Sequence, residues 1–181
     1  MENNLPNGWV ETTLNEIADW GSGGTPKSSE PKYYDGDIPW LIIADLNDGE
    51  ITTSQKRITK LGLENSSTRI VPVNSVLCAM YGSIGKLGIA KMPCASNQAI
   101  AFTHKIHGDI PYMFLFYYLF SLKKYLLEIG KGGAQQNISQ SVLKEVPFLI
   151  PPLPEQLRIV TKLNGVMQKV ESNKQRLEKI P

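Results

Sequence analysis

Residues 151–181 read PPLPEQLRIVTKLNGVMQKVESNKQRLEKIP. Pro151 and Pro152 hold the backbone extended, and Pro154 suits the first turn of a helix, where its missing N–H costs nothing. No proline follows until Pro181. Ile159, Leu163, Val166, Val170, Asn173, Leu177 and Ile180 recur at alternating spacings of four and three. That is a heptad seam with one polar member. Val160 and Met167 widen the stripe enough to pack on more than one neighbour. The spacing predicts a helix about 40 Å long at 1.5 Å per residue. A domain of this size has little need of such an element in its own core. It reads as a spacer and assembly arm over 151–181, with a globular domain over 1–150.

The aromatic stretch upstream supports a packed domain. Pro111 opens a helix predicted over Tyr112–Ile129, with Gly130 as its stop. Its aromatics fall on nearly all sides, which predicts burial in the core in preference to base stacking. Further back the chain breaks into short apolar runs: Ile38–Ile43, Arg69–Val73, Ser75–Met80, Gly88–Lys91, Gln98–Thr103 and Val146–Ile150. Glycine-punctuated turns separate them, as in a curled, mixed β-sheet. Pro39 places the first run at a sheet edge or a strand start. Thr13 reads as the cap of a helix over Leu14–Asp19, with Glu16 in the capping-box position. Gly21–Pro26 reads as loop, and Asn47–Glu50 as a hairpin-type turn. The expected class is α+β: a mixed, curled sheet with packed helices, followed by a long C-terminal helix.

Charge is uneven. Residues 1–50 hold two basic residues, Lys27 and Lys32, against ten acids, whereas residues 51–105 hold seven basic residues against Glu64 alone. A basic centre in a chain of net charge +2 fits a phosphate-facing surface, and equally a solvated face. The start, MENNLPNGW, lacks the apolar run of a signal peptide, and no segment reaches the length of a membrane span. The expectation is a cytoplasmic protein with Cys78 and Cys94 reduced.

Catalytic motifs fail on inspection. Gly82-Ser83-Ile84-Gly85-Lys86 lacks the first glycine of a phosphate loop, where Met80 stands, and its hydroxyl, where Leu87 stands. Gly21, Gly23 and Gly24 are followed by Pro26 where a dinucleotide fingerprint needs a third glycine. Ile150-Pro151-Pro152-Leu153 lacks the polar and aromatic ends of the amino-methyltransferase motif. Cys94, His104 and His107 fit no structural zinc spacing, so no metal is expected. What remains is a set of polar, glycine-rich loops with hydrogen-bond donors: Thr25 and Lys27; Lys56 and Arg57; Tyr81, Ser83 and Lys86; Lys131, Gln135, Gln136 and Asn137. Glycine admits close backbone approach, Lys and Arg neutralise phosphates, and Gln, Asn and Arg can pair with base edges. Each loop taken alone also reads as an ordinary turn.

Six pieces carry a family resemblance: Leu5-Pro6-x-Gly8-Trp9; Gly23-Gly24-Thr25-Pro26 with Gly36-Asp37-Ile38-Pro39-Trp40; Ser83-Ile84-Gly85-Lys86; Asn97-Gln98-Ala99-Ile100; Gln136-x-Ile138-Ser139; and Pro151-Pro152-Leu153-Pro154-Glu155-Gln156. In this order they resemble the specificity subunit of type I restriction-modification systems. The resemblance implies a target recognition domain that reads double-stranded DNA and performs no chemistry. It also implies partners: methyltransferase subunits that use S-adenosylmethionine and, through them, ATP-dependent restriction subunits. The chain itself would carry no cofactor. A full family member is similar to two such units in tandem, and this chain matches one. Two copies pairing their arms antiparallel would restore the arrangement, with Asn173 helping to set register. The alternative is a coiled-coil protein-interaction module that binds no nucleic acid.

Overall fold

The computed structural model describes residues 5–130 and 137–178. The chain opens with β1 (Val10–Thr13), a single turn α1 (Leu14–Ile17) and β2 (Ala18–Ser22). After a 3₁₀ turn come β3 (Tyr34–Leu41), β4 (Gly49–Ile51), β5 (Lys56–Ile58) and α2 (Lys60–Glu64). Four short strands follow, β6 (Ile70–Val71), β7 (Val76–Ala79), β8 (Leu87–Ala90) and β9 (Cys94–Ser96), before the long β10 (Ile100–Ile106). The helices α3 (Tyr112–Ser121), α4 (Lys123–Ile129) and α5 (Gln140–Lys144) precede β11 (Pro147–Ile150) and α6 (Leu153–Leu177).

The strands form three sheets in the orders β2-β10-β7-β8-β4, β5-β3-β9-β6 and β1-β11. Two pairs are parallel, β4 with β8 and β3 with β9, so both larger sheets are mixed. The expected α+β class with a curled, mixed sheet and a C-terminal helix is what the chain adopts. β7 shows why its run is apolar without alternation. Val76 and Cys78 enter the core beneath the helices with Phe114, Leu115 and Phe148, while Leu77 and Ala79 enter a second core with Leu41, Val71 and Phe102. A strand covered on both faces buries every side chain.

Several local expectations are corrected by tertiary pairing. The first helix is one turn, not Leu14–Asp19, and Thr13 makes no side-chain cap. Ala18 and Asp19 instead pair with Ile106 and Lys105 in β2–β10. Gly21 lies in the same strand, not in a loop, opposite Phe102. A Cβ there would stand 2.9 Å from the Phe102 ring, so the glycine makes room for the aromatic across the sheet. Val10–Thr13 was not foreseen as a strand; it pairs with β11, at the other end of the chain.

Pro39 is internal, since β3 lies between β5 and β9. The pairing with β9 begins only at Trp40, so the proline interrupts no bond on that side. Asn47–Glu50 is no hairpin: it turns at Asp48, φ 61°, into a strand parallel to β8. The aromatic helix divides at Leu122, where the Ser121 hydroxyl donates to the Tyr118 carbonyl, a back-bond that bends helices. Its core role holds, with Phe114, Leu115, Phe116 and Leu119 buried.

The arm begins as expected, with Pro154 in the first turn. Its first turns lie on the domain: Gln156 is buried, and Ile159 and Val160 pack against the core. Beyond Asn164 it stands exposed, with Val166, Val170 and Leu177 at 46%, 55% and 67% exposure. At 1.5 Å per residue the 25-residue helix is about 37 Å long. Among the described residues no helix is long and apolar enough to cross a membrane.

Candidate nucleic-acid interface

The two larger sheets present their turns at a common rim. β3 and β9 run parallel and end side by side at Leu41 and Ser96. Asn97 N–H donates to the Leu41 carbonyl at 3.0 Å, so the turn after β9 continues from the end of β3. The Gly23–Gly24 segment is laid across this turn: Gly24 N–H donates to Ser96 O at 2.9 Å and Gly23 N–H to Ile100 O at 3.3 Å. No side chain fits there. A Cβ on Gly23 would stand 1.9 Å from Ser96 O, and one on Gly24 would stand 2.3 Å from Ser67 Oγ. Trp40 Nε1 donates to Gly24 O, and Thr68 Oγ1 to Ser96 O, which closes the packing from beneath. The exposed Thr25 hydroxyl is thereby brought to the Gln98 side chain, with which it hydrogen-bonds.

The next turn is tied to the same place. Met80 N–H donates to Ala99 O at 2.8 Å, and Ile138 N–H donates to Met80 O at 2.9 Å. Tyr81 and Asn137 form a β-bridge beside them. Gly82 and Gly85 adopt positive φ, 62° and 74°, and carry Ser83 outward in a tight loop. Lys86, at its end, is half-buried with Nζ 3.4 Å from the Ile43 carbonyl. Lys56 pairs with Trp40 at the start of β5 and is exposed. The preceding Gln55 N–H donates to Asp45 Oδ1, while Asp45 Oδ2 accepts from Ile42 N–H. Thr25, Lys56, Tyr81, Ser83, Lys86 and Asn137, far apart in sequence, therefore share one rim.

Two predicted residues have other settings. Arg57 donates to the carbonyls of Gly36 and Asp37, at 3.0 and 2.6 Å. It holds a bulge in β3, where Tyr34 and Ile38 both align with Ile58. That bulge is the local meaning of the Gly36-Asp37-Ile38-Pro39-Trp40 motif. Lys27 is exposed on the turn that Glu30 N–H closes onto its carbonyl. Lys131, Gln135, Gln136 and, on the arm, Ile180 lie outside the described residues. Of the other arm positions, Ile159 and Leu163 are half-buried, and Val166, Val170, Asn173 and Leu177 are exposed.

Gln98 belongs to the rim and was not among the predicted contacts. Its signal was present, because Asn97-Gln98-Ala99-Ile100 is one of the quoted motifs. Only the fold places its side chain beside Thr25. The rim supplies amide and hydroxyl donors with lysine ammonium groups, a combination that binds an anionic backbone and the polar edges of bases. The two cysteines lie behind it. Burial pushes the thiols of Cys78 and Cys94 up to about 12, which leaves them protonated and unreactive. His107 pairs with Asp19 at 3.0 Å, on β2. Among the described residues no group of three or more His, Cys, Asp and Glu side chains is placed to share a metal ion.

Comparison with known proteins gives a consistent result. The model of the type I restriction modification DNA specificity domain matches residues 6–181. The chain is 32% identical over 97% of its length to the type I restriction enzyme MjaIX specificity subunit of Methanocaldococcus jannaschii, and covers 42% of that protein. It is 29% identical over 84% of its length to the EcoR124I/EcoR124II specificity subunit of Escherichia coli, covering 39%. Among solved structures, one on complex assembly and conformational transition of the type I R-M system superposes with a TM-score of 0.80 at 25% identity, over 97% of this chain and 42% of that one. The HsdS subunit from Thermoanaerobacter tengcongensis gives 0.73 at 25% identity, over 97% and 41%. The chain thus spans about two fifths of the length of the relatives it matches.

Proposed function

Since the chain belongs to the type I restriction-modification DNA specificity domain family, we propose that its rim reads one half of a bipartite DNA target. The observation that carries this reading is the convergence of Thr25, Gln98, Tyr81, Asn137, Lys56 and Lys86 on one rim, fixed by glycine contacts that admit no side chain. The rim is rigid where it is packed and polar where it is exposed, as direct readout requires. In this reading the chain recognises and does not catalyse. Methyl transfer and DNA cleavage belong to partner subunits, which bring S-adenosylmethionine and ATP with magnesium.

The arm serves assembly. Val166, Val170 and Leu177 continue the stripe that Ile159 begins on the domain, and they are exposed. Pairing of two arms antiparallel would cover them and set two identical rims apart, facing an inverted repeat with unread spacer. Methyltransferase subunits dock on the same assembly. Selection from randomised duplexes tests the reading. Enrichment of a short motif, with affinity falling steeply as salt rises, is the expected result. Failure to enrich any motif, with no salt-dependent shift on random duplex, overturns it. If that failure came with a dimer that needs the arm, the protein-interaction reading would replace it.

A further inference from the structure

One side of the junction between the arm and the domain is open. A groove of about 590 Å³ lies between the arm and the domain, lined by Glu50, Tyr112, Met113 and Tyr117 on one side and by Met167 and Glu171 on the other. At its edge the Tyr117 hydroxyl of α3 donates to Asn164 Oδ1 of α6 at 2.7 Å, in a part-buried setting. Before this point the arm is packed: Gln156 is buried, and Ile159 and Val160 lie on the core. After it come Gly165, around which a Cβ would meet nothing within 4 Å, and the exposed positions from Val166 onward. The bond sits where a packed helix becomes a free lever. Apolar contacts alone are non-directional and leave such a helix free to tilt; a hydrogen bond at the fulcrum is not.

We infer that the Tyr117–Asn164 hydrogen bond sets the arm angle and is thereby a determinant of the spacer length between half-sites. This rests on the proposal that two chains pair through their arms to read a split target. The lever from Asn164 to Leu177 is 13 residues, about 20 Å at 1.5 Å per residue. A tilt of about 10° moves its tip by about 3.5 Å, close to the roughly 3.4 Å that separates successive nucleotides of a strand. The groove beside Tyr117 gives the arm room to make that movement. Tyr117 and Asn164 act through the arm and touch no base in this scheme; they are positioning residues.

Two measurements test it. The first is a spin-label distance between Lys60→Cys on α2 and Lys174→Cys on the arm, with labelled chains diluted into unlabelled ones. The wild-type background should give one narrow distribution. Tyr117→Phe and Asn164→Ala should each broaden or shift it by several ångströms, and the double variant should do no more than either single one, because both remove the same bond. The second is selection from duplexes with two half-sites and a varied spacer. The wild type should prefer one spacing. The variants should accept spacers longer or shorter by at least one base pair while keeping the half-site sequence and losing no more than a few degrees of thermal midpoint. Distances that do not change, or an unchanged spacer preference in variants that still select paired half-sites, overturn the inference. A wild type that selects no paired half-sites overturns the split-target reading instead, and the distance measurement still judges the angle.

Discussion

Asp48 and Lys123, 75 residues apart, meet at 2.6 Å between Oδ2 and Nζ, and the other Asp48 oxygen accepts from Leu87 N–H at 2.9 Å. One carboxylate thus ties the turn before β4, the start of β8 and the start of α4 together. Gly85 lies against Lys123 and Leu126, so the tie braces the glycine loop that presents Tyr81–Lys86. Asp48→Asn keeps an acceptor for Leu87 and loses the ion pair. Both side chains are about a third exposed, so the loss should be below about 1 kcal/mol. Asp48→Ala leaves the Leu87 amide unpaired and strains the positive φ, and should cost about 2 kcal/mol. Denaturant midpoints rank the two, and hydrogen exchange across 81–87 should rise in the order Asn, then Ala. Equal effects would remove the amide from the account.

The two glycines that seat the rim should differ from the one that tops its loop. Gly24→Ala forces a Cβ to 2.3 Å from the Ser67 hydroxyl and, against backbone, to 2.5 Å from Thr68 N and 2.7 Å from the Ser67 carbonyl carbon. It should cost about 2–3 kcal/mol and abolish binding with it. Gly82→Ala meets nothing within 4 Å and pays only for its φ of 62°, about 1–2 kcal/mol. Thermal melts check both, and a milder Gly24→Ala would show that the rim can shift.

Lys56 is exposed and pairs at the start of β5, whereas the Lys86 ammonium sits 3.4 Å from the Ile43 carbonyl. Lys56→Ala should weaken binding to specific and random duplex alike and lower the salt slope by about 1. Lys86→Ala should lower both and also loosen the 43–45 turn. Anisotropy titrations at several salt concentrations separate the two. An unchanged slope for both variants would remove them from the phosphate contacts.

The thiols make stability fall in mild alkali. Burial raises both to about 12 from an ordinary 9.0, so the native state holds the protons more tightly than the unfolded chain. Their contribution is complete below about pH 9 and is lost as pH rises toward 12, at about 1.4 kcal/mol per pH unit for each thiol. Urea midpoints at pH 8, 9 and 10 should decline, and Cys78→Ala with Cys94→Ala should flatten the decline. A decline of the same slope in that double variant would assign it to other groups.

Val170 and Leu177 are 55% and 67% exposed, so charging them costs the single chain little. Val170→Glu with Leu177→Glu should leave the unfolding free energy of a monomer within about 0.5 kcal/mol of wild type. Light scattering should show a wild-type dimer that the double variant converts to monomer. A wild-type mass that is monomeric at all concentrations would leave the stripe to a different partner.

The arm, the aromatic core helices and most short strands were legible because their signals are local. A heptad spacing, an apolar run between glycines and a proline at a helix start act within a few residues. Pro154 in the first turn of α6 is of this kind. The misread places share the opposite cause. Gly21 reads as loop until Phe102 lies across from it, and Leu14–Asp19 reads as helix until β10 claims its second half. Pro39 reads as a sheet edge or strand start until the pairing of β3 with β9 is seen to begin one residue later.

By itself the sequence determined the class of fold, the long C-terminal helix, and the family to which its six motifs belong, since these rest on periodicity and on the order of short segments. Only the tertiary structure decided that Thr25 and Gln98 meet, that Tyr81 bridges Asn137, that Arg57 bonds across a bulge in β3, and that the Tyr117 hydroxyl donates to Asn164. Those contacts join residues 21 to 73 positions apart. Nothing in local spacing encodes them. Thr25 meets Gln98 through the parallel β3–β9 pairing and the close approach that Gly23 and Gly24 allow; Arg57 acts within the antiparallel β3–β5 pairing, and Tyr117 reaches Asn164 where α3 packs on α6.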